Sequence, residues 1–256
     1  MARIAMVTGA SSGMGKEAVL QIGNNPRKVQ EVWVVARRRE SLMELKRQVS
    51  VPVRIFPLDL AQEKSWHILK RALEKYKPEI KILVNSAGYG KNGKVGSVGL
   101  KEEAGMVRLN CEALCAVTHL ALPYLADHGR ILQMASAAAF VPQPGFAVYA
   151  ATKAFVLSYS RALGVELKPR GIVVTAVCPG PVATGFFEVA QAGGKLPFYK
   201  RAVMAKPKKV VKKALEDSMS GKAVSVYGPA MKGFCLLCKA VPHRFLLRFM
   251  EKGGAS

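Results

Sequence analysis

A glycine-rich turn set between an apolar run and a helical pattern constrains this chain more than anything else in it. Ile4-Ala5-Met6-Val7 has the unbroken apolar character of a buried strand. It leads directly into Thr8-Gly9-Ala10-Ser11-Ser12-Gly13-Met14-Gly15, after which Ala18, Val19, Leu20 and Ile22 recur at helical spacing. Strand, glycine turn and helix in that order open a dinucleotide-binding βαβ unit. Gly9 permits the tight turn, Gly13 lets backbone approach a pyrophosphate, and Gly15 lets the helix pack close to the strand. Gly9, Ser11, Ser12, Gly13, Met14 and Gly15 are the candidate phosphate cradle, with the helix N-terminus presenting free N–H groups to the anion.

The remainder repeats the alternation. Apolar runs near 3–8, 32–36, 53–58, 81–85, 130–135, 172–177 and 223–227 read as strands. Helical patterns lie between them near 14–24, 40–49, 62–76, 100–126, 147–168 and 206–220. The strands are rich in Val and Ile and lack clean polar alternation, which suits a parallel sheet covered on both faces. The expected fold is one α/β domain with a Rossmann-type, doubly wound parallel sheet of about seven strands. A chain of 256 residues buries a large core as one such domain. Ligands of these sheets lie beyond the carboxyl ends of the strands, where Asn85, Ser136 and Pro179 fall along with the glycine turn.

Chemistry enters with Tyr149 and Lys153, which are four residues apart and so share a helix face. A free phenol has a pKa near ~10, and a neighbouring cation favours the phenolate, drawing that value toward neutrality. YxxxK alone is weak; an ordinary helix with a buried Tyr and a solvated Lys reads the same. Here Ser136 stands thirteen residues upstream and Asn110 precedes both.

With TGxxxGxG at 8–15, Asn85-Ser86-Ala87-Gly88, Asn110, Ser136, Tyr149, Lys153 and Pro179-Gly180, residues 3–185 resemble the short-chain dehydrogenase/reductase family. Ser86 departs from the family's second Asn, a strand-stabilising position. The resemblance implies hydride exchange between a nicotinamide and a ketone or secondary alcohol. Tyr149 is then the proton donor or acceptor, and Ser136 holds the carbonyl. Lys153 tunes Tyr149 and holds the nicotinamide ribose, and Asn110 positions a relay water. It also implies that Asp59 and Leu60 meet the adenine, and that Asn85, Ala87 and Gly88 line its ribose. Pro179, Gly180, Val182 and Thr184 then hold the nicotinamide amide. Leu114 to Pro123, Tyr149 to Phe155 and the apolar C-terminal extension resemble the hydroxysteroid and lipid-ketone reductase branch, which implies an apolar substrate: a steroid, a long-chain ketone or a 3-ketoacyl thioester. Family members are often dimers or tetramers through helices that here span 100–126 and 147–168.

The choice of dinucleotide rests on the end of the second strand. Val32-Trp33-Val34-Val35-Ala36 passes into Arg37-Arg38-Arg39, with no acid before Glu40. Guanidinium groups fit a ribose 2′-phosphate, whereas an acid would bind the 2′-hydroxyl. The expected cofactor is NADP(H), with Arg37 and Arg38 as its contacts.

Charge and the C-terminal region remain. The net charge is +22, and residues 195–256 hold fourteen Lys/Arg against three Asp/Glu. Such charge attracts polyanions, but no nucleic-acid motif accompanies it, so nucleic acid is not expected. Ala183 to Pro207, with Phe186, Phe187, Leu196, Phe198 and Tyr199, is placed to form a substrate lid. Residues 233–256 form a basic amphipathic extension beyond a 1–232 domain, with Phe245, Leu246, Phe249 and Met250 interleaved with Arg244 and Arg248. It can dock on the domain, on a partner subunit or on an anionic membrane surface. Cys235 and Cys238 read as small apolar residues one helical turn apart, and no metal is assigned. Five cysteines, with a first strand that leaves no room for an export signal, carry the expectation of a reducing cytosol. A non-catalytic NADP sensor or membrane-surface protein on the same fold is the alternative, and retention of all four catalytic positions argues against it.

Overall fold

The computed structural model describes residues 1–25, 29–191 and 203–253. Seven parallel strands form a single sheet in the order β3-β2-β1-β4-β5-β6-β7. They are β1 Arg3–Thr8, β2 Glu31–Ala36, β3 Val53–Pro57, β4 Glu79–Asn85, β5 Leu125–Met134, β6 Val173–Val177 and β7 Val224–Ser225. Chain order reverses between β1 and β4, where Thr8 pairs with Asn85 in register. That pairing sets the glycine turn at the crevice where such sheets bind ligands.

Two helical layers close the sheet, because strands buried on both faces need apolar cover on each side. One layer has α1 Gly13–Gly23 and α2 Arg39–Lys46, together with α8 Pro207–Met219. Val19, Ile22, Leu42, Leu45, Val211 and Ala214 from this layer are buried against β-strand residues such as Val7, Val34 and Val84. The opposite layer contains α3 Glu63–Tyr76, α5 Ala113–Ala121 and α6 Ala147–Glu166. Leu69, Leu73, Val117, Ala121 and Leu163 from it meet Met6, Trp33, Leu83 and Ile131. Each Leu, Ile or Val buried in this way contributes about 1.5–3 kcal/mol.

The helical pattern over 100–126 is not one helix. α4 Leu100–Val107 passes into a π-turn, Arg108–Glu112, in which the Ala113 N–H reaches back to the Arg108 carbonyl. α5 follows, then a 3-10 turn at Leu122–Tyr124, and β5 begins at Leu125, inside the expected helix. The expected domain limit at 232/233 falls within α9 Pro229–Ala240, and the extension comprises two helices, α9 and α10 His243–Gly253. Cys238 is buried on α9, and a Cβ added at Gly180 would lie 2.3 Å from Met231 Sδ, so this helix is docked on the domain. The expected lid begins as α7 Phe186–Gln191, and the pairing of Val182 with Ala205 closes its base. Leu196, Phe198 and Tyr199, and the side chain of Phe249, lie outside the described residues. No described helix is long and apolar enough to cross a membrane.

Candidate active site

The glycine turn is shaped by contacts that exclude side chains. Gly9 and Gly13 have φ of +65° and +54°, a left-handed backbone that favours glycine. A Cβ at Gly9 would lie 2.6 Å from the Ser86 carbonyl oxygen, and one at Gly15 would lie 2.3 Å from the Gly9 carbonyl oxygen. The turn is thus pressed against β4 and folded over the first turn of α1. Thr8 Oγ1 fixes the approach by accepting hydrogen bonds from the Ser86 and Ala87 N–H groups, at 3.1 and 3.2 Å. Ser12, at the N-cap of α1, makes no side-chain capping bond, and the first turn carries no acid. Uncapped donors, the helix dipole and nearby arginines fit the pyrophosphate of a dinucleotide.

Arg37 and Arg38 are exposed just beyond β2. Arg38 Nη2 donates to Ser11 Oγ at 3.3 Å, bringing the basic run onto the glycine turn. Gly13 faces Thr184: a Cβ built on it would lie 3.4 Å from Thr184 Cγ2. The phosphate turn and the segment after Pro179 are therefore direct neighbours. Thr184 Oγ1 accepts from the Phe186 N–H at 3.3 Å, and its N–H donates to the Val182 carbonyl at 2.8 Å. The Pro179 carbonyl accepts from Ala137 N–H at 2.8 Å, linking this segment to the start of the Ser136 loop. Asp59 Oδ1 accepts from Ala61 N–H at 3.1 Å and shapes the turn after β3, while Leu60 is buried. Asn85 turns away from the cleft: its Nδ2 donates to Thr118 Oγ1 at 2.9 Å inside the core. Only its backbone is left at the strand end.

Ser136, Tyr149, Lys153 and Asn110 come together at the carboxyl end of β5. The Ala138 N–H donates to Ser136 Oγ at 3.1 Å. Lys153 Nζ donates to the Met134 carbonyl at 2.7 Å and lies 5.6 Å from the centre of the Tyr149 ring. Asn110 occupies the π-turn, a helix irregularity that often marks functional sites. Its Nδ2 donates to the Tyr89 carbonyl at 2.8 Å and to Thr152 Oγ1 at 3.0 Å, and its Oδ1 accepts from Tyr89 N–H at 3.0 Å. Thr152 in turn donates to the Tyr149 carbonyl at 2.7 Å. Asn110 thus ties the loop after β4 to the helix that carries Tyr149.

Burial governs the titration of the pair. It pushes the Tyr149 phenol up to about 12, and the Ser136 hydroxyl pulls the other way. It lowers Lys153 to about 8. Sequence spacing predicts that Lys153 draws Tyr149 down, but the shift runs upward, because both side chains are shielded from water and desolvation disfavours each charged form.

An aromatic wall flanks Tyr149, of which the sequence singled out Phe186, as part of the expected lid, but not Phe146. Phe146 stacks on Tyr149 at 4.3 Å between ring centres, and Phe186 lies tilted at 5.3 Å. A Cβ at Gly90 would lie within 2.7–3.0 Å of all three rings. Phe146 sits three residues before Tyr149, a spacing that brings helical neighbours together, and this was the available signal.

Sheet order, turn and cleft together define a dinucleotide-dependent oxidoreductase fold. Residues 3–193 match the family model described as short chain dehydrogenase, and the chain belongs to that family, whose members act on CH–OH and ketone groups. It is 33% identical over 199 residues to sulfoacetaldehyde reductase 2 of Chromohalobacter salexigens, covering 75% of this chain and 78% of that one. It is 30% identical over 213 residues to a very-long-chain 3-oxoacyl-CoA reductase of Phaeosphaeria nodorum, covering 78% and 61%. Among solved structures, a short-chain dehydrogenase of Sphingobium yanoikuyae in complex with NADPH superposes with a TM-score of 0.77 at 26% identity, over 94% of this chain and 97% of that one.

Proposed function

We propose that this protein is an NADP(H)-dependent reductase of an apolar ketone. The observation that carries the proposal is the meeting of Ser136, Tyr149 and Lys153 at the end of β5, together with a glycine turn that holds Arg38 at its edge and Arg37 exposed beside it in sequence. NADPH, when bound, supplies the hydride. Arg37 and Arg38 hold its 2′-phosphate, and the N–H groups of α1 hold its pyrophosphate.

The reacting carbonyl lies beside Ser136 Oγ and Tyr149 Oη. As the carbonyl carbon receives hydride, the oxygen becomes basic and takes the Tyr149 proton. A phenol near 12 is fully protonated at neutral pH, as the reductive direction requires. Lys153, near 8, is predominantly cationic there and stabilises the phenolate left behind. Asn110 keeps this arrangement in register through the loop at Tyr89 and the helix at Thr152.

The walls support an apolar substrate. Phe146 and Phe186 flank Tyr149, and Phe187 stands edge-on to Phe186 at 5.5 Å. Likeness to a very-long-chain 3-oxoacyl-CoA reductase supports a lipid ketone. Exposed Phe155 and Val165 on the outer face of α6 support self-association through that helix. The test is NADPH oxidation by the purified protein against keto-steroids, long-chain ketones, a 3-ketoacyl thioester and small aldehydes. The reading expects the bulky apolar ketones to exceed the small aldehydes in kcat/KM. Preference for a small charged aldehyde would overturn the substrate class.

A further inference from the structure

Helix α6 has a second face. Tyr149 and Lys153 face the loop after β4, where a Cβ at Gly90 would lie 2.7 Å from the Tyr149 ring and one at Gly88 3.6 Å from Lys153 Nζ. Ala147, Ala151 and Ala154 lie about 140–200° round the helix from Tyr149, at about 100° per residue, and are exposed. Against this back face lies a cavity of about 440 Å³. Ala138, Val141, Pro142 and Pro144 form a second wall, and His243 and Leu247 of α10 form a third. Its volume is that of a small-molecule pocket. Ser136, Tyr149, Lys153 and Phe186 are all absent from its lining, so it is separate from the proposed ketone site.

Chemistry narrows the occupant. Among the described residues, Gln143 and His243 are the only polar side chains in the lining, so a ligand body of hydrocarbon fits and a polar one would lose its hydrogen bonds to water. Charge is concentrated beside His243 and Leu247: Arg244 and Arg248 follow each of them by one position and are exposed. Lys232 and Lys239 are exposed on neighbouring α9, and the sequence from Ser218 to Met250 contains no Asp or Glu. A hydrocarbon cavity beside a helix that carries Arg244, Arg248 and Lys252 against the single acid Glu251 complements an amphiphile with an anionic end. A carboxylate matches the planar guanidinium fork.

We propose that this cavity binds the alkyl chain of a free long-chain carboxylate, with its head group at Arg244 and Arg248. Ala138 lines the cavity while its N–H holds Ser136 Oγ at 3.1 Å, and Ala150 lines it from the position beside Tyr149. A bound chain therefore packs directly against the segments that present both residues.

The experiment is calorimetric titration of dodecanoate, kept below its micelle concentration, into the NADPH-saturated full chain at low ionic strength. Hexanoate and neutral dodecyl maltoside serve as comparison ligands. Saturable one-to-one binding of dodecanoate is expected, at least tenfold tighter than that of hexanoate. Ala151→Trp, at an exposed position, fills the cavity and should abolish it, and Ala154→Phe should do the same. Replacing Arg244 and Arg248 with Gln should weaken dodecanoate at least fivefold and leave the maltoside unchanged. The proposal is overturned if no saturable binding is seen, or if Ala151→Trp leaves it intact. Displacement of dodecanoate by a ketone that the protein reduces would place the chain in the reaction cleft instead. Co-sedimentation with anionic phospholipid vesicles without binding of the monomeric ligand would assign the helix pair to a bilayer surface. A wild-type dimer that Ala151→Trp makes monomeric, with no dodecanoate heat, would give the face to a second copy. Every readout is binding or mass, so failure here is distinct from failure of the reductase reading.

Discussion

Replacing Asn110 with Ala tests whether this residue is a structural tie as well as a neighbour of the reacting groups. Its side chain is buried and makes three hydrogen bonds, two with the Tyr89 backbone and one with Thr152 Oγ1. Removing it leaves the Tyr89 N–H and carbonyl without these partners. At a net contribution near ~1 kcal/mol for each bond, the loss is about 3 kcal/mol. For a domain of this size each kcal/mol moves the melting midpoint by about 2–4 °C, so a fall of roughly 6–12 °C is expected. Differential scanning calorimetry without added ligand measures it. Thr152→Val breaks only the third bond and the link to the Tyr149 carbonyl, and should lower the midpoint less. The double variant should fall short of the sum, because the two residues share a bond. A midpoint within about 2 °C of wild type for Asn110→Ala would refute the reasoning. The residue would then owe its place to chemistry alone.

Other expectations follow from the same geometry. Replacing Arg37 and Arg38 together with Ala removes charge-assisted contacts of about 1.5–3 kcal/mol each, so KM for NADPH should rise at least tenfold and KM for NADH only slightly; equal changes would remove the arginines from the 2′-phosphate. Burial lowers Lys153 to about 8, so between there and ~10.4 the unfolded chain holds the extra proton, and unfolding free energy should rise with pH across that window. Tyr149, raised to about 12, acts oppositely: between ~10 and 12 the folded chain keeps a proton that the unfolded chain loses, and stability falls. Guanidinium unfolding at about pH 7.5 and about pH 9.5 should show an alkaline gain in wild type that Lys153→Met lacks, on the order of 1–2 kcal/mol; identical gains would contradict the buried-lysine account. Asp217→Asn should lower stability, measured by the same unfolding, because its carboxylate accepts from Lys213, Lys222 and Ser225 at 2.5, 2.7 and 2.8 Å and ties α8 to β7; unchanged unfolding would remove the carboxylate from that role.

Much of the architecture was legible because strand burial writes itself as apolar runs. Ile4 to Val7 and Val32 to Ala36 read as buried strands by their short, Val- and Ile-rich runs, and both lie inside the sheet, β1 between β2 and β4 and β2 between β1 and β3. The glycine turn was readable because backbone contact at Gly9 and Gly15 leaves no room for another residue. β5 hid its first half because Asp127, His128 and Gly129 break its apolar run, with His128 at φ +58°. The π-turn at Arg108–Glu112 was illegible because apolar periodicity cannot separate an i+5 turn from its i+4 neighbours. The direction of the Tyr149 shift failed for a related reason. Sequence places Lys153 one turn away but says nothing of the burial that raises the phenol. Asn85 was placed at the cleft by its motif, whereas tertiary packing gave its side chain to Thr118.

The measurement that bears most directly on the account is a single-turnover experiment on Tyr149→Phe. The variant keeps the ring that stacks on Phe146 at 4.3 Å and removes only the proton-bearing oxygen. NADPH bound to wild type and variant is mixed with the best ketone of the panel, and loss of nicotinamide absorbance is followed. The account predicts NADPH affinity within about twofold of wild type and hydride transfer slowed by about 10²–10⁴-fold, the range a positioned proton donor supplies. Transfer in the variant at the wild-type rate would contradict it.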